Sequence, residues 1–170
     1  MNPNDFMINH EETLHNLQTA LSMELTAIHQ YQLHAGVLDD WGMNRLAAKM
    51  RSEMQEELEH SDSYVERIIF LKGDPELKLQ KTPVRARTLK EMFELDLADE
   101  RDAISFYTKA AQQAGSVSDL GSRMLFERIA LDEEGHIGWL ELQLDLLERM
   151  GESAYISKHI SVPGEDEQPA

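Results

Sequence analysis

Two Glu-x-x-His pairs are the residues in this sequence whose types and spacing best fit metal chemistry. The pairs are Glu57–His60 and Glu133–His136. Residues three apart lie on one face of a helix, so each pair can present a carboxylate and an imidazole to the same ion. Carboxylate oxygens and imidazole nitrogens are ligands that suit iron or manganese. The two pairs therefore predict a site for divalent metal.

An internal duplication makes this pattern more specific than either pair alone. Glu24 lies 33 residues before Glu57, and Glu100 lies 33 residues before Glu133. The motif Glu-x-x-Ala-Ile-x-x-Tyr starts at both Glu24 and Glu100. Each half of the chain thus repeats a helical hairpin that offers one glutamate from its first helix and Glu-x-x-His from its second. A third pair, Glu12-x-x-His, is interpreted as the solvated start of a helix.

Four long helices are expected to position these residues. Glycine and proline are sparse and cluster between long segments of helix-forming residues. No segment alternates between polar and apolar residues as a strand would. The fold class is therefore all-α, with four long helices and a short fifth one, predicted in order at residues 9–38, 44–71, 88–115, 118–150 and 152–160.

The candidate ligands occur on otherwise apolar helical stripes and at matched depths. Glu24 lies 14 residues before the end of its predicted helix, and Glu57 lies 13 residues after the start of the next. In the second half, both distances are 15 residues. Antiparallel pairing therefore brings six side chains to one layer of a four-helix bundle: Glu24, Glu57, His60, Glu100, Glu133 and His136. Four buried carboxylates need compensation, which two divalent cations supply, as in ferritin-like dimetal bundles.

The segment between the second and third helices predicts a long crossover. Residues 72–87 have no helical pattern and would span roughly 53 Å when fully extended. A connection between parallel helices must return over roughly 39 Å, whereas antiparallel neighbours need only a few residues. The length therefore favours the crossover of ferritin-like bundles. Capping residues predict three of the helix starts, through a Thr88–Glu91 capping box and caps at Asn44 and Ser118.

Composition excludes several classes of function. The chain has 16 basic and 32 acidic residues, a net charge of −16, and no cysteine. Disulfide scaffolds, thiolate zinc sites and cysteine-ligated clusters are therefore excluded, and the acidity argues against nucleic acid and favours cations as partners. No apolar run is long enough to span a membrane, and the start lacks a signal-peptide pattern, which predicts a cytoplasmic protein. Residues 1–160 are predicted as one domain and 161–170 as a flexible acidic tail.

The chain resembles the bacterioferritins from about residue 9 to residue 160. The resemblance is carried by four segments of the sequence: residues 23–31, 60–73, 96–100 and 132–141. It implies two iron ions per subunit. One would have Glu24 and His60 as terminal ligands and the other Glu100 and His136. Two further carboxylates would bridge the ions, with a tyrosine beside the site: Glu57, Glu133 and Tyr31.

The resemblance also implies an activity and an assembly. Ferrous iron would be oxidised by dioxygen or peroxide at this ferroxidase centre and stored as a ferric mineral in a shell of 24 subunits. Two positions depart from the family. Leu58 replaces the methionine that ligates haem between subunits, so this chain is not expected to bind haem by itself. Ser52 replaces an inner-surface histidine, whose acidic neighbour is kept in type as Glu56.

Two alternatives to iron storage stay open at this stage. One is a ferritin-like dimetal oxidase or peroxidase that stores no iron, and the other is a haem-free subunit of a shell shared with a haem-binding paralogue. The remaining aromatic and histidine residues are interpreted first as packing or solvated residues. Tyr31 and Tyr107 are ambiguous, since each lies seven residues beyond a candidate ligand and could either bind a carboxylate or fill the core.

Overall fold

Five α-helices make up the computed structural model, which describes residues 10–160. They are α1 (Glu11–Asp40), α2 (Asn44–Phe70), α3 (Leu89–Ser116), α4 (Leu120–Met150) and α5 (Glu152–His159). Residues 10–160 contain no strand, and every helix boundary lies within two residues of its predicted place. The predicted tail at 161–170 lies outside the described residues. None of the described helices combines the length and apolar character needed to cross a membrane.

The bundle consists of two helical hairpins, α1 with α2 and α3 with α4, joined mainly by contacts between α1 and α3. Two apolar clusters fill its core. One contains the end of α1, the starts of α2 and α3, and the end of α4, and includes Leu38, Met50 and Phe93. The other contains the opposite ends, with Leu21, Tyr64 and Phe126. The six candidate ligands lie between these clusters along every helix, so they form a polar layer at mid-height.

The arrangement of the clusters also shows the direction of each helix. Both α2 and α3 begin at the first cluster and end at the second, so they run parallel and the chain returns along the whole bundle between them. This confirms the predicted crossover. The α1 helix holds the crossover at three levels, through side-chain hydrogen bonds from or to the main chain of Glu76, Gln80 and Val84.

The helix starts agree only partly with the predicted caps. Thr88 Oγ1 accepts a hydrogen bond from the main-chain N–H of Glu91 at 3.1 Å, as the capping box requires. The Asn44 prediction is wrong, because Asn44 is the first residue of α2 and no side chain caps it. The Ser118 prediction is wrong by one residue. Asp119 is the cap of α4 and accepts from the main-chain N–H of Ser122 at 3.0 Å, since its carboxylate is a stronger acceptor than a hydroxyl.

The short helix α5 closes the end of the bundle next to the first cluster. Its only buried residue is Tyr155, whose hydroxyl donates a hydrogen bond to Gln143 Oε1 on α4 at 2.8 Å. The ring also packs edge-on against Phe93 at 6.2 Å between centroids. One aromatic anchor with a satisfied hydroxyl therefore docks this helix of eight residues onto the core.

Candidate metal centre

The six side chains predicted to converge lie together in the middle layer of the bundle. All of them are buried, with at most 6% of any residue exposed. They form two overlapping groups whose ligand atoms lie within 4.8 Å of one another. One group contains Glu24 and His60, and the other contains Glu100 and His136. Glu57 and Glu133 belong to both groups.

The contacts of the two histidines show how the shared carboxylates are oriented. His60 Nδ1 lies 3.1 Å from Glu133 Oε1 and 3.4 Å from Glu57 Oε2. His136 Nδ1 lies 2.8 Å from Glu133 Oε2 and 3.2 Å from Glu57 Oε1. Each shared carboxylate therefore turns one oxygen to each histidine. This is the orientation that a carboxylate needs to bridge two metal ions.

The other two glutamates each belong to one half of the layer. Glu24 Oε2 lies 3.6 Å from His60 Nδ1, and Glu100 Oε1 lies 3.5 Å from His136 Nδ1. The layer thus has two halves, each with one histidine and one glutamate of its own, joined by two shared carboxylates. This two-fold arrangement follows the duplication in the sequence.

Several buried polar atoms in this layer lack a well-aligned hydrogen bond. They include an oxygen of each shared carboxylate and the inward nitrogen of each histidine: Glu57 Oε1, Glu133 Oε2, His60 Nδ1 and His136 Nδ1. Buried polar atoms are nearly always hydrogen-bonded or coordinated. Because these atoms all face the same centre, the donor set fits two cations of the kind that oxygen and imidazole ligands prefer.

Burial and mutual contact shift the ionisation of the whole layer. Burial raises the pKa of Glu57, and the charges of Glu24 and Glu133 raise it further. Burial likewise raises the pKa of Glu100 to about 8. Burial alone would also raise the pKa of Glu133, but its contacts with both histidines hold it at about 2. In the metal-free layer some glutamates therefore keep protons that cations would displace.

The histidines carry positive charge when no metal is present. Burial opposes the charged form of His60, but contacts with Glu133, Glu24 and Glu57 raise its pKa to about 12. Burial also opposes the charged form of His136, but contacts with carboxylates, the largest being that with Glu100, raise its pKa. A metal that binds Nδ1 must replace a proton there, so metal binding and proton release are coupled in this layer.

Two tyrosines hold the unshared glutamates in a crossed pattern. The Tyr31 hydroxyl on α1 donates to Glu100 Oε1 on α3, and the Tyr107 hydroxyl on α3 donates to Glu24 Oε1 on α1. Burial raises the pKa of both phenols, so both remain donors. The ambiguity left by the sequence is thereby resolved in favour of carboxylate contact. The bond from Tyr107 leaves Glu24 Oε2 to face His60. Glu100 instead uses one oxygen, Oε1, both to accept from Tyr31 and to approach His136.

The outer nitrogens of the histidines contact further carboxylates. His60 Nε2 lies 3.4 Å from Asp132, and His136 Nε2 lies 3.2 Å from Glu56; the two acids occupy equivalent positions in the duplication. His136 Nε2 also lies 2.7 Å from Glu53, which is 2% exposed. Such outer contacts orient a ligating histidine. Glu53 was not among the predicted ligands, and its one signal in the sequence is that it is an acidic residue on an otherwise apolar helical stripe.

Residues outside the layer behave as the sequence suggested. Glu12 and His15 are exposed at the start of α1. His34 is fully buried beside Asp96, with 3.0 Å between Nδ1 and Oδ1. Leu58 is 42% exposed, so it points away from the layer although it follows Glu57 directly.

The chain is similar to known proteins over most of its length. A family model described as a ferritin-like domain matches residues 14–150. A bacterioferritin from Brucella melitensis is 43% identical over 145 residues, which cover 85% of this chain and 89% of that protein. Bacterioferritin BfrA from Mycobacterium tuberculosis is 38% identical over 152 residues, or 89% and 96% of the two chains.

Solved structures show the same similarity. A bacterioferritin structure from Rhodobacter capsulatus, described as having a metal-free dinuclear site and haem iron, matches with a TM-score of 0.87. It is 37% identical, and the match covers 90% of this chain and 96% of that one. A structure of BfrA from M. tuberculosis matches with a TM-score of 0.86, also at 37% identity. The fold of this chain is therefore shared with these proteins over about nine-tenths of its length.

Proposed function

The chain belongs to the bacterioferritin family, and we propose that it stores iron and oxidises ferrous ions at the mid-bundle layer. The observation that carries this proposal is the orientation of Glu57 and Glu133, each of which turns one oxygen to each histidine. Two cations held side by side by shared carboxylates can deliver two electrons to one oxidant. The fit of the four buried carboxylates to two divalent charges supports the same reading.

The proposed roles follow the two halves of the layer. Glu24 and His60 hold one iron ion, and Glu100 with His136 holds the other. The shared carboxylates bridge the two ions. On this assignment Tyr107 and Tyr31 are positioning residues, because each fixes an unshared glutamate through one oxygen. The histidines bind through Nδ1, the nitrogen that faces the layer, while Nε2 stays with an outer carboxylate.

The reaction balances with iron as substrate. Two ferrous ions lose one electron each, and dioxygen takes up those two electrons with two protons to form hydrogen peroxide. Peroxide can replace dioxygen, and it then forms two waters with the same electrons and protons. The chain's part is to hold the ions together, to give up protons from the layer as the cations enter, and to exclude bulk water through the apolar clusters above and below.

Anaerobic titration of Fe(II) into the metal-free protein, followed by addition of oxygen, tests this function. We expect binding to saturate at two ferrous ions per subunit and to be followed by rapid oxidation. Excess iron should then accumulate as a ferric core inside a large shell, which we propose to contain 24 subunits. Rapid oxidation in a small oligomer without a core would instead support a dimetal oxidase that stores no iron.

A shell shared with a haem-binding paralogue is the second candidate, and Leu58 is the observation that favours it. The side chain is exposed on the single subunit, where a partner subunit can cover it. Leucine offers no lone pair to haem iron, whereas the thioether of methionine does. The two side chains are close in volume, so the exchange preserves packing between subunits.

We therefore predict that the homomeric protein purifies without haem and that Leu58→Met allows haem binding after reconstitution. The measurement is the Soret absorbance relative to protein concentration, with Leu142→Met, another half-exposed leucine, as the matched control. A Soret band with methionine-type ligation in the unmodified protein would show that a different residue supplies the ligand and would contradict this reading.

A further inference from the structure

A small cleft between α1, α3 and the crossover connects solvent with the layer of six candidate ligands, called the metal layer below. It has a volume of about 50 Å³ and is bordered by all four glutamates of the layer. Its outer part is lined by three charged residues, Asp99, Asp102 and Lys81. The inner end of the cleft has four carboxylates, which attract cations. Its opening nevertheless carries an ammonium group, which repels them.

Lys81 is paired with one of the two acids beside it. Its Nζ forms an ion pair with Asp99 Oδ1, which directly precedes Glu100 on α3. The lysine side chain is about half exposed and that of Asp99 about one-third exposed. The pair thus lies at the boundary between the cleft and solvent, and it ties the crossover to α3.

The crossover is held firmly on both sides of Lys81. The Gln80 main-chain N–H is bonded to Thr26 Oγ1 at 2.8 Å. The Gln30 side chain receives a hydrogen bond from the Val84 main-chain N–H at 2.8 Å and donates one to the Val84 carbonyl at 2.9 Å. Because α1 fixes the chain before and after it, the lysine is kept at the mouth of the cleft rather than sampling the surface.

We propose that the Lys81–Asp99 pair sets the rate at which divalent cations enter the metal layer through this cleft. The ammonium repels an approaching cation and also neutralises the acid that would attract it. Charge at the mouth of a cleft acts mainly on the association rate, through the local potential. The inference rests on the proposed function only in taking the layer to bind divalent cations.

Two substitutions should move the rate in opposite directions. Lys81→Gln removes the repelling charge and frees Asp99, so cation entry should become roughly three- to tenfold faster at low ionic strength. Asp99→Asn leaves the lysine unpaired and should slow entry by a similar factor. The double variant restores a neutral mouth and should return close to the parent rate. At about 1 M salt, where the Debye length is about 3 Å, all the rates should converge.

Stopped-flow mixing of the metal-free, full-length protein with Co(II) measures entry without oxidation, through the absorbance of the bound ion. Lys78→Gln is the matched control, since it makes the same charge change on the same crossover, at a residue that pairs with Glu76 and is not part of the cleft lining. Its rate should equal that of the parent protein.

The outcomes separate this inference from the proposed function. Equal rates for Lys81→Gln and Lys78→Gln would overturn the inference, and so would faster entry in both Lys81→Gln and Asp99→Asn, which would indicate a loosened crossover instead of a charge effect. If Co(II) enters faster in Lys81→Gln and slower in Asp99→Asn but the parent protein oxidises no iron, the entry role stands and the ferroxidase proposal fails. If the parent protein oxidises iron rapidly but the two substitutions do not change the entry rate in this way, the ferroxidase proposal stands and the entry role fails.

Discussion

Replacing either shared carboxylate, by Glu57→Ala or Glu133→Ala, is expected to slow rapid iron oxidation by about 100-fold or more. Each carboxylate contacts both histidines through separate oxygens, so its loss removes a ligand from both ions at once. Two-electron transfer to one oxidant then fails, because the ions are no longer held together. The measurement is the rate of oxidation of two ferrous ions per subunit after mixing with oxygen.

Neighbouring glutamates provide matched controls for these two substitutions. Glu59→Ala and Glu134→Ala remove an exposed carboxylate from α2 and α4, respectively, and should oxidise iron at the parent rate. Light scattering should show that all four variants assemble as the parent does, since none of these side chains belongs to the apolar clusters. Unchanged oxidation kinetics in both Glu57→Ala and Glu133→Ala would contradict the ferroxidase proposal.

The position of the metal layer could be predicted from the sequence because it depends on helical geometry alone. Rise per residue converts sequence distance into depth, and antiparallel pairing then aligns Glu24 with Glu57 without any knowledge of the turn between them. The duplication repeats this argument independently for Glu100 and Glu133. An acidic residue on an apolar stripe is costly to bury, so a stripe that contains one in each helix indicates compensation by metal.

Glu53 was not predicted, for a reason that the duplication itself explains. The equivalent position in the second half is Ile129, a buried core residue, so a search based on repeats passes over it. In the structure Glu53 approaches the outer nitrogen of His136, and only half-exposed Asp132 occupies that place beside His60. The two halves of the layer therefore differ in charge although their inward-facing ligands are equivalent.

The residues at the mouth of the cleft could not be predicted from sequence patterns either. The crossover has no periodicity, and its course is set by hydrogen bonds from α1 to residues more than fifty positions away, such as Gln30 to Val84. The same holds for the crossed tyrosines, because helix periodicity places Tyr31 near the layer but does not say which glutamate it reaches. Contacts of this kind depend on how the two hairpins pack together, which spacing within one helix does not determine.

Charge compensation in the layer differs between the metal-free and metal-bound states. Without metal, the positive charge comes from His60 and His136, whose contacts with carboxylates raise the pKa of both rings, and from protons kept on buried glutamates such as Glu57. Several buried atoms of these groups nevertheless lack a well-aligned hydrogen bond. On the proposed function, two divalent cations would displace these protons and supply the compensating charge instead.

Divalent metal is therefore expected to raise the melting temperature of the metal-free protein substantially. A ligand present at 100 times its dissociation constant stabilises the native state by about 2.7 kcal/mol per site. For a chain of this size that corresponds to roughly 5–10 °C for one ion, and the second ion adds to it. The measurement is thermal unfolding at neutral pH with excess Mn(II), before and after removal of the metal with a chelator.

The double variant Glu57→Ala/Glu133→Ala is the control for stabilisation through this layer. It removes the two carboxylates that contact both histidines, so its metal-free form should unfold at a lower temperature than the metal-free parent. Mn(II) should raise that temperature far less than it raises the melting temperature of the parent. Glu59→Ala/Glu134→Ala, with the same loss of charge at exposed positions, should keep the full response. A parent protein whose melting temperature does not change with excess Mn(II) or Fe(II) would count against a preformed site, because cations that bind only the native layer must stabilise it.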